Sequence, residues 1–271
     1  MPKVNAKIAM NYDLQGSGEP LILIPFIAAD HACYAFQVAE FSRHFTCISV
    51  DLRGTGETEA VPGAYSLADI ADDVAEFMRA IGVARAHIFG LSFGAGVALM
   101  MGIRHPENVL SLSVHGAWTK TDLFLSTLVK GWQTMARALG SVPEVVIQSI
   151  FPWCLTSELY ASKPEYIQSL ADFVRSRPAQ SLESFLQQTN AVLAFDIESD
   201  LARIKAPTQI TLGQYDMMTS LRFANRIKAA VPRSELVVFE GCAHAPLFEK
   251  VPEFNDAVLR FLKRSAKASA A

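Results

Sequence analysis

Ala86-His87-Ile88-Phe89-Gly90-Leu91-Ser92-Phe93-Gly94-Ala95-Gly96 joins a short β-favouring run to a helical pattern of small and apolar residues through Gly-x-Ser-x-Gly. A serine on so tight a strand-to-helix turn takes a strained backbone, and Gly90 and Gly94 leave room for strand and helix to approach without side-chain clashes. The strain exposes the hydroxyl. Val97, Ala98, Leu99, Met100, Met101 and Ile103 then carry a buried helix as far as Pro106, and its amino terminus favours negative charge developing beside the serine. Ser92 is thus a candidate nucleophile for acyl chemistry. The plain alternative is a Gly/Ser turn in an ordinary α/β crossover, and the rest of the chain decides between the two.

Strand and helix patterns alternate on either side of this turn. Lys7 to Leu14 alternates weakly and reads as an early strand at a sheet edge, closed by Gly16-Ser17-Gly18-Glu19-Pro20. Leu21-Ile22-Leu23-Ile24 is a continuous apolar run ended by Pro25, as in a strand covered on both faces. Thr46 to Val50, Val109 to Val114, Thr208 to Gly213 and Glu235 to Phe239 read as further strands. Tyr34 to Phe45, Leu67 to Ile81, Leu221 to Val231 and Phe254 to Leu262 read as helices. The rhythm predicts an α/β chain with a doubly wound, mostly parallel sheet. Ser265 to Ala271 has no apolar face to bury and is expected to be frayed.

Between Gly116 and Pro207 the rhythm breaks, because four helical patterns follow one another with no convincing strand. The first carries Leu128, Trp132, Met135 and Leu139 and is closed by Gly140. The second opens on Ser141-Val142-Pro143-Glu144, a capping-box pattern, and stops before Pro152; the others run from Pro164 to Arg177 and from Leu182 to Ala194. These patterns predict a helical cap over 117–206, inserted in a core made of 1–116 and 207–271. Its aromatic residues, Trp132 and Trp153 among them, can pack the cap or line a substrate cavity.

The 271 residues are 51% hydrophobic and 19% charged, a balance that suits a folded α/β chain with a sizeable core. A formal charge of −3 with scattered lysines and arginines gives no basic stripe for a phosphate backbone, which argues against nucleic-acid binding. Cys33, Cys47, Cys154 and Cys242 show no metal-like pairing and are expected to be free thiols. Met1 to Met10 lack the pattern of a secretory signal, and no apolar run approaches the roughly 18 to 20 residues that span a bilayer. The expectation is a cytoplasmic protein with no membrane partner; no signature fixes an oligomeric state.

A serine hydroxyl becomes a good nucleophile when a positioned base takes its proton and an acid fixes that base. Of the six histidines, His87 lies inside the strand before the elbow, His105 at the far end of the helix after it, and His44 at the amino end of a strand. Ligands bind doubly wound sheets at the carboxyl ends of the strands. His244, in the loop after the last strand, is at that edge and is the best base. Asp216 follows Thr208–Gly213 at the same edge and lies between Ser92 and His244 in sequence, whereas Asp196 and Asp200 belong to the cap and its return.

Taken in order, the Gly-Ser-Gly-Glu-Pro turn, Asp51-Leu52-Arg53-Gly54-Thr55-Gly56, the Ser92 elbow, and Asp216 followed by His244 resemble the α/β-hydrolase superfamily. The resemblance covers the chain from about Lys7 to Leu262, and Glu249 matches an acidic residue common shortly after the family's histidine. It implies the α/β-hydrolase fold with the cap after the sixth strand, as in esterases, enol-lactonases and aminoacrylate-hydrolase-like members. The implied activity is hydrolysis of small to medium uncharged esters or lactones through an acyl-enzyme, with no cofactor and no metal. Hydrolysis of a C–C, amide or enol-lactone bond is the alternative within the class, and a slow-turnover ligand receptor the alternative outside it. One departure stands out: the family's His-Gly after the third strand is replaced by Pro25-Phe26-Ile27. The oxyanion hole is then assigned to the amides of Phe93 and Ile27. His31, Tyr34, His115 and Trp118 are further candidate substrate contacts.

Overall fold

Continuous apolar runs go to the middle of the sheet, and amphipathic segments cover its faces. The computed structural model describes residues 3–5 and 8–270. The core comprises β1 (Lys3–Asn5), β2 (Ala9–Gln15), β3 (Pro20–Ile24), α1 (Ala35–Phe41), β4 (Thr46–Val50), α2 (Leu67–Ala80), β5 (Ala86–Leu91), α3 (Phe93–Arg104) and β6 (Val109–His115). Helices α4 (Leu123–Leu139), α5 (Val142–Val145), α6 (Phe151–Cys154), α7 (Ser157–Ser162), α8 (Pro164–Ser176) and α9 (Leu182–Leu193) follow. The chain ends in β7 (Thr208–Gly213), α10 (Leu221–Ala230), β8 (Ser234–Phe239), α11 (Pro246–Glu249) and α12 (Val251–Ala270).

The eight strands lie in the order β1-β2-β4-β3-β5-β6-β7-β8. β2 is antiparallel to β1 and β4, and every pair from β4 to β8 is parallel. This is the α/β-hydrolase fold, with the long helical segment after β6. All six residues of β5 and of β7 are buried, including the polar His87, Thr208, Gln209 and Thr211, as befits parallel strands covered on both faces. Helices α2, α3 and α10 contribute to the hydrophobic cluster on one face of the sheet, and α1 and α12 to the cluster on the other. The chain order reverses between β3 and β5, which are neighbours in register from Leu21 opposite His87 to Ile24 opposite Gly90. The crevice outside their carboxyl ends is where an open α/β sheet binds ligands.

Four local expectations are corrected. The predicted start of the early strand at Lys7 lies outside the described residues; β2 begins at Ala9, and β1 pairs along its outer side, so β2 is not the edge. The helix expected to stop before Pro152 instead runs on, through a π turn over Val146–Ile150 and then α6, because Pro152 falls in the first turn of α6 where no amide hydrogen is needed. Ser141 makes no side-chain cap bond there, and Glu144 pairs with Arg175 instead. An additional helix, α7, is capped by Thr156. The tail expected to fray continues α12 to Ala270, since its Ala, Lys and Ser residues are compatible with helix and Ser265 and Ala266 still pack against the core. Ala271 lies outside the described residues.

Candidate active site

Gly90 and Gly94 owe their identity to contact distances. A Cβ on Gly90 would lie 2.3 Å from the carbonyl oxygen of Gly94, and one on Gly94 would lie 2.1 Å from that of Ile24. Strand β5, helix α3 and the end of β3 therefore meet backbone to backbone. Ser92 sits at the junction with φ 53° and ψ −118°. Among the described residues it shares a positive φ only with Ala28 outside the glycines. A positive φ in a residue that carries a Cβ costs on the order of 1–3 kcal/mol and persists where its surroundings over-determine it. Here the Ser92 amide donates to the His115 carbonyl at 2.8 Å, and its carbonyl accepts from Gly96 at 3.0 Å.

The loops after β7 and β8 bring Asp216 and His244 together. Nδ1 of His244 donates to Asp216 Oδ2 at 2.8 Å, with both side chains buried. Thr219, three residues after the aspartate, donates its amide to Oδ1 at 2.9 Å and its hydroxyl to Oδ2 at 2.7 Å. Burial alone would raise the Asp216 carboxyl, but the His244 charge, its hydrogen bond and the two bonds from Thr219 outweigh it and hold the group below the usual carboxylate range. The imidazole is confined on another side by Gly116, whose Cβ would lie 2.5 Å from Cε1 of His244. Glu249 fixes the loop from below: it accepts the Ala243 amide at 2.6 Å and the Thr156 amide at 3.0 Å. Nε2 of His244 is buried and has no hydrogen-bond partner.

The segment after β3 is held largely by side chains. The Ala28 amide, at φ 57°, donates to Gln188 Oε1 of α9 at 3.2 Å. Arg177, just beyond α8, donates Nε to Asp30 Oδ2 at 2.8 Å, and its Nη2 lies 3.4 Å from His31 Nε2. The His31 amide and Nδ1 both contact Asp51 Oδ1 at 2.7 Å, while Asp51 Oδ2 takes the Asn11 amide group and the Glu57 backbone. Burial works against both charges, yet the hydrogen bond and charge of Asp51 leave His31 raised, and the bonds that Asp51 receives leave its carboxyl lowered. Asp30, His31 and Asp51 lie close enough to share a cation. Their carboxylate oxygens are engaged by these donors, and the Arg177 guanidinium stands at the remaining histidine nitrogen. Thus the Asp51-Leu52-Arg53-Gly54-Thr55-Gly56 stretch is structural: Gly56 packs on Asp51, a Cβ there being 2.2 Å from Oδ2, and Arg53 forms a buried ion pair with Asp73.

Ser92 and His244 line the same cavity of about 250 Å³, together with Ile27, Trp132, Phe151, Met218 and Arg177. A second cavity of about 30 Å³ also touches Ser92 and His244, and is walled by Ile27, Phe93, Trp118 and Trp132. The other aromatic and histidine candidates reach neither. Tyr34 is buried and donates its hydroxyl to the Ile24 carbonyl at 2.8 Å while accepting the Leu91 amide at 3.0 Å, so it ties the ends of β3 and β5 together. His115 lies between the rings of Phe89 and Phe254, its Nδ1 2.6 Å from Thr211 Oγ1, and burial pushes its pKa down to about 3. His31 is committed to Asp51, and Trp153 stacks edge-on with Phe124. Burial pushes the thiols of Cys33 and Cys154, which line the larger cavity, above their ordinary pKa. Among the described residues all four cysteines are free, and no helix is long and apolar enough to cross a membrane.

Residues 19–251 match the family model described as the alpha/beta hydrolase fold. The chain belongs to the α/β-hydrolase family. A Caulobacter vibrioides protein that carries the name carbamate hydrolase RutD is 25% identical over 259 residues, 94% of this hydrolase and 95% of its relative. Among solved structures, a thermophilic esterase from Thermogutta terrifontis superposes with a TM-score of 0.86 at 20% identity, covering 98% of each chain. The enol-lactonase of Burkholderia xenovorans superposes with a TM-score of 0.83 at 21% identity, covering 97% of this hydrolase and all of that chain. Sequence reasoning missed Thr219, Gln188 and Gly116. Only Thr219 left a trace, as an Asp-x-x-Thr spacing in which the aspartate caps the turn that follows it.

Proposed function

We propose that this hydrolase cleaves small to medium uncharged carboxylic esters or lactones through an acyl-enzyme on Ser92. The observation that carries this reading is the state of His244: one ring nitrogen is bonded to buried Asp216, and the other is buried, unpartnered and in a cavity wall shared with Ser92. A base so arranged takes the serine proton as the hydroxyl attacks the acyl carbon, and returns it to the leaving alcohol. Asp216 orients the ring and stabilises its charged form. The tetrahedral oxyanion is held by the amides of Phe93 and Ile27, which lie at the head of α3 and after β3. The first amides of a helix have no partner within it, so Phe93 is available to an oxyanion. Water then repeats the sequence on the acyl-enzyme. The helical segment over 117–206 acts as the cap, with Trp132 and Trp118 on the cavity side. A fluorophosphonate should add once per chain, as read by intact mass, and Ser92→Ala should abolish both the adduct and the burst of p-nitrophenol from a p-nitrophenyl ester. An adduct that persists in Ser92→Ala would refute the assignment.

The name carried by the Caulobacter relative favours a second reading, in which the same machinery cleaves a carbamate. An acyl carbon flanked by nitrogen and oxygen is attacked in the same way, and a panel that pairs each ester with its carbamate decides between them by kcat/KM.

A further inference from the structure

The wall of the larger cavity is chiefly aliphatic and aromatic, so its polar atoms stand out. Gln180, in the link between α8 and α9, lines it and is only 8% exposed. Both its Oε1 and its Nε2 are buried without a hydrogen-bond partner. An amide left with neither its donor nor its acceptor satisfied costs on the order of 1–3 kcal/mol for each group, and native interiors rarely keep such a group without a use. We propose that Gln180 is the recognition element of a second polar subsite in this cavity, one that takes a carboxamide edge, as in a primary amide or a lactam, carried by the substrate away from its scissile bond. The proposal rests on the reading of this cavity as the substrate site.

Two observations select this ligand class. A carboxamide that presents N–H and C=O side by side is the complement of the glutamine head, since its carbonyl accepts from Nε2 while its N–H donates to Oε1. An anion is the competing ligand, because Arg177 lines the same cavity. Its charge is already met by Asp30 at 2.8 Å, and that of His31 by Asp51 at 2.7 Å. No uncompensated positive charge remains to repay the desolvation of a carboxylate, and Oε1 would face it as a second acceptor.

Isothermal titration of the full chain carrying Ser92→Ala, which keeps any probe from being turned over, tests this with three ligands of one shape: hexanamide, heptan-2-one and hexanoate. Hexanamide should bind about tenfold more tightly than heptan-2-one, as expected for one or two net hydrogen bonds. Adding Gln180→Met should bring the two within about twofold. Equal affinities in the Ser92→Ala parent, or a preference that survives Gln180→Met, overturns the subsite. Tightest binding by hexanoate overturns it in favour of an anion site at Arg177. If the doubly substituted chain does not fold, Gln180→Ala, which removes the donor and the acceptor together without adding a bulky side chain, should abolish the preference for hexanamide, and a retained preference refutes the proposal. These affinities require no chemistry at Ser92, so they stand or fall apart from the covalent-adduct test above.

Discussion

Two histidine–aspartate pairs lie at the carboxyl edge of this sheet, and by local geometry they are nearly the same. His31 holds Asp51 at 2.7 Å and His244 holds Asp216 at 2.8 Å, each through Nδ1 and each with both side chains buried. The difference lies at the far side of the ring. Nε2 of His31 faces the Arg177 guanidinium at 3.4 Å, whereas Nε2 of His244 has no partner and shares a cavity wall with Ser92. A hydrogen-bonded imidazole becomes a base by what its second nitrogen is left to meet. The first pair fastens the loop that carries Ile27 to the turn after β4, and the second leaves its Nε2 unpartnered beside the cavity that Ser92 lines.

The sharpest way to break this comparison is to remove each histidine. Ser92→Ala and His244→Ala should each lower kcat on a p-nitrophenyl ester by about 10⁶-fold, as happens when members of a hydrolytic triad are removed. His31→Gln should lower kcat by less than about tenfold; an equal loss would show that the pairs are not functionally distinct. Replacing the acids sharpens it further. Asp216→Asn should cost about 10⁴-fold in kcat at neutral pH by favouring the wrong tautomer, with the Michaelis constant little changed.

A smaller effect is expected at Gln188, which holds the strained Ala28 amide beside Ile27. Gln188→Met should reduce kcat about 10- to 100-fold with KM nearly unchanged, because a displaced oxyanion donor is missed only in the transition state. A rise in KM alone would place Gln188 in ground-state binding instead.

The smallest effect concerns stability and pH. Asp51 has a lowered pKa, so its contribution is present above its unfolded value of about 3.9 and is lost as pH falls through the folded one. His31 has a raised pKa, so its contribution is complete below its unfolded value of about 6.5 and is lost as pH rises through the folded one. The gap in urea midpoint between the parent and His31→Gln should therefore be widest between about pH 4 and 6.5. It should narrow on both sides, and a gap that widens toward pH 9 would contradict the pairing.

Much of this was legible in the chain because it depends on spacing and order. The glycines at 90 and 94 could be read as steric necessities, and the positions of Asp216 and His244 after strands at one edge followed from the alternation around them. The ligating partners were less legible. Gln188 is one polar residue on an amphipathic helix, and nothing local distinguishes it from a solvent-facing glutamine until α9 is docked over Ala28. Tyr34 and His115 read as candidate substrate contacts, but position along the chain does not say which way a ring turns; theirs turn into the core. The segmentation of 141–162 was hidden for a different reason: proline stops a helix or starts one according to the turn it falls in, and that depends on how α5 packs on α4 and α8.

Gly116 borders the His244 ring. It has φ +53°, and any side chain there meets the imidazole at 2.5 Å. It carries no functional group and moves no proton, yet few other residues could occupy its place. A complete substitution map scored by activity would mark position 116 almost as intolerant as 92 or 244, while a map scored by abundance alone would treat it far more leniently than a core leucine. Comparing the two maps would separate residues that perform the chemistry from those that merely leave room for it, and Gly116 belongs with the second group.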